Sequence, residues 1–206
     1  MNLTAVRDVD EVMSRHVADS LAILPPINNS YCDAASSDGL RLVDVGSGAG
    51  LPGLILAIAC PDWKITLLES MQKRCRFLEY AVDLVGLTNV QILCGRAESV
   101  GQTLDLRETF DVAVARAVAE MRVLAEYCLP LVRIGGLFVA AKGYDPQEEM
   151  KNAEKAIQSM GASMLQLYRV ESFGPYGQRT AAVYLKDRPT PKIYPRLPGL
   201  PSKMPL

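Results

Sequence analysis

Residues 40–53, LRLVDVGSGAGLPG, decide how the rest of the chain is read. Leu40, Leu42, Val43 and Val45 form a short apolar run of the kind a buried parallel strand requires. The run passes into Gly46-Ser47-Gly48-Ala49-Gly50, and a helical pattern opens behind it over 51–59. Glycines reach φ > 0 and let a ligand approach the main chain without meeting a Cβ. Gly46, Gly48 and Gly50 are therefore candidate ligand-facing positions, with the acid Asp44 two residues ahead of them. Pro52 falls where a first-turn proline is tolerated, because its missing N–H would be unpaired there anyway. A dinucleotide fingerprint needs glycine at its first, third and sixth places; the sixth place here is Leu51, so that fingerprint fails.

Downstream, strands and helices alternate. Residues 63–68 read as a second strand that ends at Glu69, 23 residues beyond Gly46, near the spacing at which an acid accepts ribose hydroxyls. An amphipathic helix over 71–84, closed by Gly86, carries Lys73, Arg74 and Arg76 in its first turns, where cations oppose the helix dipole. Further strands are expected at 90–94, 110–115 and 137–141. The first of them leads into Gly95-Arg96-Ala97-Glu98, where the adenine of a cofactor would sit, the second ends at Arg116, and the third exits at Lys142. Helices are expected at 121–131, closed by Gly135-Gly136, and at 146–160. Two last strands, 164–170 and 180–186, are joined by SFGPYGQR, read as a long hairpin loop. The pattern predicts an α/β doubly wound, mostly parallel seven-stranded sheet with a terminal antiparallel hairpin. In such sheets ligands bind outside the carboxyl ends of the strands, where Gly46–Gly50, Glu69, Ala97, Glu98, Arg116 and Lys142 all fall.

Upstream, 9–24 reads as one helix with Asp8 as its N-cap and Pro25-Pro26 as its stop, followed by a surface loop over 28–39. Arg15 and Asp19 are four apart and can meet on one face. His16, the single histidine, reads either as a general base or as a hydrogen-bonded structural group. Arg116 has a structural alternative of its own, a salt bridge to Glu120. The domain limits expected are 1–39 for a leading helix and loop, 40–187 for the catalytic domain and 188–206 for a proline-rich basic tail.

The 206 residues carry a net charge of −1, which does not suit a globally basic nucleic-acid binder. Lys186, Arg188, Lys192, Arg196 and Lys203 against Asp187 nevertheless leave the last 21 residues at +4. The five cysteines are scattered without any C-x-x-C pair, so neither a metal site nor a disulfide framework is suggested, and a reducing compartment is expected. No apolar run approaches membrane-spanning length.

The G-x-G-x-G turn behind an acid resembles the first motif of class I S-adenosylmethionine methyltransferases, whose sheet also closes with an antiparallel hairpin. NLTAVRD, RHVADS, DVGSGAGLPG, QKRCRFL, GRAE, ARAVAE, AAKG and the ending YPRLPGLPSKMPL together resemble the glucose-inhibited division protein B family. The resemblance implies a cytoplasmic 16S ribosomal RNA methyltransferase (or an organellar one, were the source a plant) acting on guanine N7 in the 530 loop. It implies S-adenosylmethionine as cofactor, with Gly46, Leu51, Ala97, Glu98 and Arg116 at the family's cofactor contacts. The implied partner is the small ribosomal subunit or its RNA, bound by a monomer, and a further helical segment is expected ahead of NLTAVRD. Arg15, Lys73, Arg74, Arg76, Lys142, Lys192 and Arg196 are RNA-contact candidates, with Tyr194 as a stacking residue. Guanine N7 carries no proton, so no catalytic base is required. Arg116-Ala117-Val118 stands where amino-nitrogen methyltransferases often carry Asp/Asn-Pro-Pro-aromatic. A methyltransferase of small molecules or proteins, and a non-catalytic cofactor-binding module, remain open beside this reading.

Overall fold

The computed structural model describes residues 8–31, 39–116, 118–174 and 177–206. The NLTAVRD stretch as far as Arg7, residues 32–38 of the expected loop, Ala117 and the Pro175-Tyr176 turn lie outside the described residues.

Seven strands form one sheet in the order β3-β2-β1-β4-β5-β7-β6. These are β1 (Arg41–Val45), β2 (Lys64–Glu69), β3 (Val90–Cys94), β4 (Phe110–Arg116), β5 (Val132–Lys142), β6 (Ala162–Gly174) and β7 (Gly177–Lys186). β1 pairs in parallel with β2 and β4, and the closing hairpin is antiparallel, with Lys142 of β5 opposite Thr180 of β7. The class I methyltransferase topology expected from the alternation is the one observed. β4 is buried along 110–115 because helices cover both faces of the sheet, as an unbroken apolar strand demands. Val43, Ala113 and Phe138 point into one core layer, against α7 (Met121–Cys128) and α8 (Gln147–Ser159). Leu42, Val112 and Val139 point into the other, against α3 (Leu24–Ser30), α4 (Gly53–Ala59) and α5 (Gln72–Val85).

Four expectations are corrected. Pro25 and Pro26 do not stop a helix: they lie in the first turn of α3, where proline has no hydrogen bond to break. The single helix expected over 9–24 is instead α1 (Val9–Val12), a π-helical stretch Met13–Ala18 and α2 (Asp19–Leu21). Gly135-Gly136 do not close α7, which ends at Cys128. They lie inside β5 at an irregularity, where Phe110 pairs with Val132 but Val112 pairs with Leu137. Gly135 takes φ +82 there, and a glycine needed for a bulge looks in sequence like one needed for a helix end. SFGPYGQR is not a long loop either, since Phe173 pairs with Gln178 and Gly174 with Gly177. Among the described residues no helix is long and apolar enough to cross a membrane.

Candidate functional site

The glycine turn is shaped by two carboxylates. Gly46, Gly48 and Gly50 all have positive φ, at +75, +60 and +87. A Cβ on Gly46 would stand 2.8 Å from Val118, and one on Gly50 would press into Leu54. A Cβ on Gly48 would meet nothing closer than the Gly46 carbonyl at 3.8 Å, so bare backbone faces open space at that position. Asp44 accepts a hydrogen bond on Oδ2 from the Gly53 N–H at 2.9 Å, tying the end of β1 to the start of α4. Its Oδ1 is buried with no partner. Burial pushes the Asp44 carboxyl up to about 6, against the opposing pull of the Gly53 N–H and of Arg116. Glu69 accepts from the Gly48 N–H at 3.0 Å on Oε2 and from the Met71 N–H at 2.8 Å on Oε1. Each carboxylate oxygen has a second lone-pair direction, so Glu69 retains acceptor capacity.

These groups border a cleft of about 390 Å³ whose walls include Gly48, Leu51, Glu69, Arg74, Arg116 and His16. Arg74 comes within 3.6 Å of Glu69. Arg116 does not pair with Glu120, which is bound by Arg122. It donates instead to Asp19 Oδ2 at 2.9 Å. Asp19 is buried and also accepts from Ser172 Oγ on β6 and sits 3.3 Å from Arg179 on β7. One aspartate thus binds the N-terminal helix, the end of β4 and the closing hairpin together. The expected pairing of Arg15 with Asp19 does not form, because Arg15 bonds Glu11 and the π-helical stretch between them changes which residues share a face. Burial, and then the charge of Arg116, lower the pKa of His16.

A smaller recess of about 100 Å³ adjoins the turn between Gly46, Ala97, Glu98, Val118 and Tyr127. Ala97 and Glu98 open α6 (Ala97–Val100), and Glu98 accepts a hydrogen bond from the Gly199 N–H at 2.8 Å. Gly199 caps α9 (Leu200–Lys203), so the C-terminal tail reaches back to this wall.

Of the residues singled out for RNA, Lys73 and Arg76 lie exposed on α5, and Lys192 is exposed on the tail. Lys142 is bound to Glu149 at 2.6 Å and to the Ala119 carbonyl. Arg196 makes a forked ion pair with the buried Glu126, and Tyr194 packs against the core. Arg107 donates to the carbonyls of Gly101, Thr190, Pro191 and Tyr194. Sequence reasoning missed Asp19, Glu126 and Arg107 as organising residues. Only Asp19, inside the quoted RHVADS stretch, carried a signal that could have been used.

The GidB family model, described as rRNA small subunit methyltransferase G, matches residues 1–174. The chain is 42% identical over 211 residues to the ribosomal RNA small subunit methyltransferase G of Moorella thermoacetica, covering 100% of this chain and 83% of that protein. It is 45% identical over 205 residues to the protein of the same name from Carboxydothermus hydrogenoformans, covering 100% and 84%. Among solved structures, Aeropyrum pernix fibrillarin in complex with natively bound S-adenosyl-L-methionine superposes with a TM-score of 0.59 at 16% identity, over 82% of this chain and 76% of that one. That likeness is one of fold.

Proposed function

As the chain belongs to the rRNA small subunit methyltransferase G family, we propose that it methylates N7 of a guanine in the 530 loop of small-subunit ribosomal RNA, with S-adenosylmethionine as methyl donor. The observation that carries the cofactor assignment is the bare backbone at Gly48 beside the Glu69 carboxylate, which fits a ribose. Glu69 accepts the ribose hydroxyls with the lone pairs it has left. Gly46, Gly50 and Leu51 shape the turn, with Asp44 bracing it from β1. Ala97 and Glu98 border the recess that takes the adenine, and Arg116 stands at the end of β4 beside the transferring methyl.

The bound cofactor supplies an electrophilic methyl on a sulfonium: the N7 lone pair forms the new N–C bond, the C–S bond breaks, and the positive charge passes to the base. The protein is required to align and to exclude water, because N7 carries no proton to remove. His16, held below its ordinary pKa, is consistent with a neutral wall residue and has no base role to fill. Lys73, Arg74 and Arg76 on α5, with Arg15 and Lys192, are the cations we assign to phosphate contacts. Lys142, Tyr194 and Arg196 act from inside the domain, holding the surfaces the RNA meets.

The test is chemical. Unmodified small subunits incubated with the protein and labelled cofactor should take up methyl groups, and the 530 loop should then be cleaved by reduction followed by aniline, the signature of N7-methylguanine. Methyl transfer with no such cleavage in that loop refutes the N7 assignment and leaves the methyltransferase.

A further inference from the structure

Beyond the cofactor cleft, the same end of the sheet holds a second opening of about 410 Å³, between the turn that leaves β5 and the mouth of the β6–β7 hairpin. Tyr144, Asp145, Arg169 and Gln178 line it. The opening is a built feature. The Thr180 hydroxyl donates to the Gly143 carbonyl at 2.9 Å and fastens the exit of β5 to β7. Gly177, at φ +128, lies against one side of the Tyr144 ring, where a Cβ would come within 2.8 Å of Cδ2. The ring is thereby held in place while Tyr144 remains 63% exposed. Asp145 adopts φ +48, a left-handed conformation that costs a non-glycine residue about 1–2 kcal/mol. Strain retained at an exposed residue, with no packing gain, is a mark of functional positions. Gln178 is oriented by donating to the Val170 carbonyl at 3.0 Å, which leaves its amide oxygen as an acceptor.

An exposed ring beside one carboxylate and one guanidinium suits a nucleobase better than a phosphate, which the carboxylate would repel. Aromatic rings stack unpaired bases, and polar side chains read their edges. Guanine presents two adjacent N–H donors and a carbonyl on its Watson–Crick edge. A carboxylate takes the donors, and a guanidinium donates to the carbonyl. Held by that edge, guanine turns N7 to the opposite side.

The register sets where N7 would then lie. Arg116 is level with Ala141, Lys142 with Thr180, and Thr180 with Arg169. The end of β4 and the β7 wall of the opening are therefore two strands apart at one level, about 9–10 Å. A purine hydrogen-bonded at one edge and meeting a methyl group at the other fills that span. We propose that this opening is the recognition site for the target guanine. Tyr144 stacks on the base, Asp145 accepts from its Watson–Crick N–H groups, Arg169 donates to its carbonyl, and N7 faces Arg116. This rests on the guanine-N7 reading above and specifies how that substrate is held.

The test compares Tyr144→Ala, Tyr144→Phe and Asp145→Asn in the full chain, with cofactor affinity from calorimetry and kcat/KM on unmodified small subunits. Tyr144→Ala should lower kcat/KM by about 10–100-fold, the scale of one lost stacking contact, with cofactor affinity unchanged. Tyr144→Phe should restore it to within about threefold, a rescue that a hydrogen-bonding or merely structural tyrosine would not give. Asp145→Asn should lower it at least about tenfold, because the amide oxygen cannot replace a charged acceptor for two donors. Irradiation of the wild-type complex should cross-link the peptide bearing Tyr144 to the methylated guanine. If wild type methylates the 530 loop while Tyr144→Ala and Asp145→Asn both stay within about twofold of it, the guanine is held elsewhere and the proposal falls alone. If wild type modifies a different atom or no RNA at all, the parent reading falls and takes the proposal with it.

Discussion

Two buried carboxylates, Glu69 and Glu98, stand on opposite sides of the glycine turn, and they are satisfied in opposite ways. Glu69 accepts from Gly48, 21 residues away, and from Met71, two residues away. Glu98 accepts from Gly199, 101 residues away, on the tail. One side of the cleft is made by its own strand-turn-helix and its neighbour. The other is closed by a segment that returns from the far end of the chain and is held by Arg107, Gln102 and Glu126. A tail that reads as a basic arm is thereby part of the wall. Arg196 is paired inside the domain, and Lys186 is buried against Glu108 and the Leu129 carbonyl. The difference teaches that the turn should tolerate loss of the tail's anchor better than the fold does, and that the fold should tolerate damage to the turn better than binding does.

The largest effect expected concerns the tail. Glu126 is fully buried and takes a forked contact from Arg196, so Glu126→Ala should destabilise the fold by about 3–5 kcal/mol, as breaking a buried pair does. In denaturant titrations that loss should be plain, while calorimetry on the remaining folded protein finds cofactor affinity within about tenfold of wild type. Loss of binding at a temperature where the variant is still folded would mean that the Glu98–Gly199 contact couples the two sides, and the contrast drawn above would fail.

Gly48→Val is the converse. The new side chain meets no protein atom within ordinary contact distance, yet it fills the space where the backbone faces the cleft. Cofactor affinity should fall at least about 100-fold, near 3 kcal/mol. The fold should lose only the cost of a left-handed non-glycine residue, about 1–2 kcal/mol. Tight binding by this variant would show that the ligand lies elsewhere.

The smallest effect belongs to Asp44, between the two sides. Its carboxyl titrates near 6 in the folded protein against 3.8 ordinarily. Between those values the folded state keeps a proton that the unfolded chain has released, so this group's contribution to stability declines as pH rises from about 4 to about 6. Roughly two pKa units correspond to about 2–3 kcal/mol. Asp44→Asn cannot titrate, so its stability relative to wild type should improve by that order between pH 4 and pH 6.5 in cofactor-free denaturation. A constant difference between the two proteins across that range would show that the carboxyl is not raised.

Much of the fold could be read from contiguous residues. The apolar run ending in Asp44-Val45, the glycines at 46, 48 and 50 and the strand closing at Glu69 are local features, governed by backbone geometry and side-chain period. These suffice for a doubly wound sheet with its ligand at the strand ends, and the quoted motifs suffice for the family. What tertiary structure alone decided is which distant groups meet. Arg116 had Glu120 four residues away and took Asp19, 97 residues upstream. Arg196 read as a cation for RNA and took Glu126, while Gly135-Gly136 read as a helix end and became a kink in β5. Hydrophobic period and turn chemistry act over a few residues, so a sequence displays them directly. A charge pairs with whichever opposite charge the packed layers bring within about 3 Å, and many carboxylates in one chain qualify until the packing chooses.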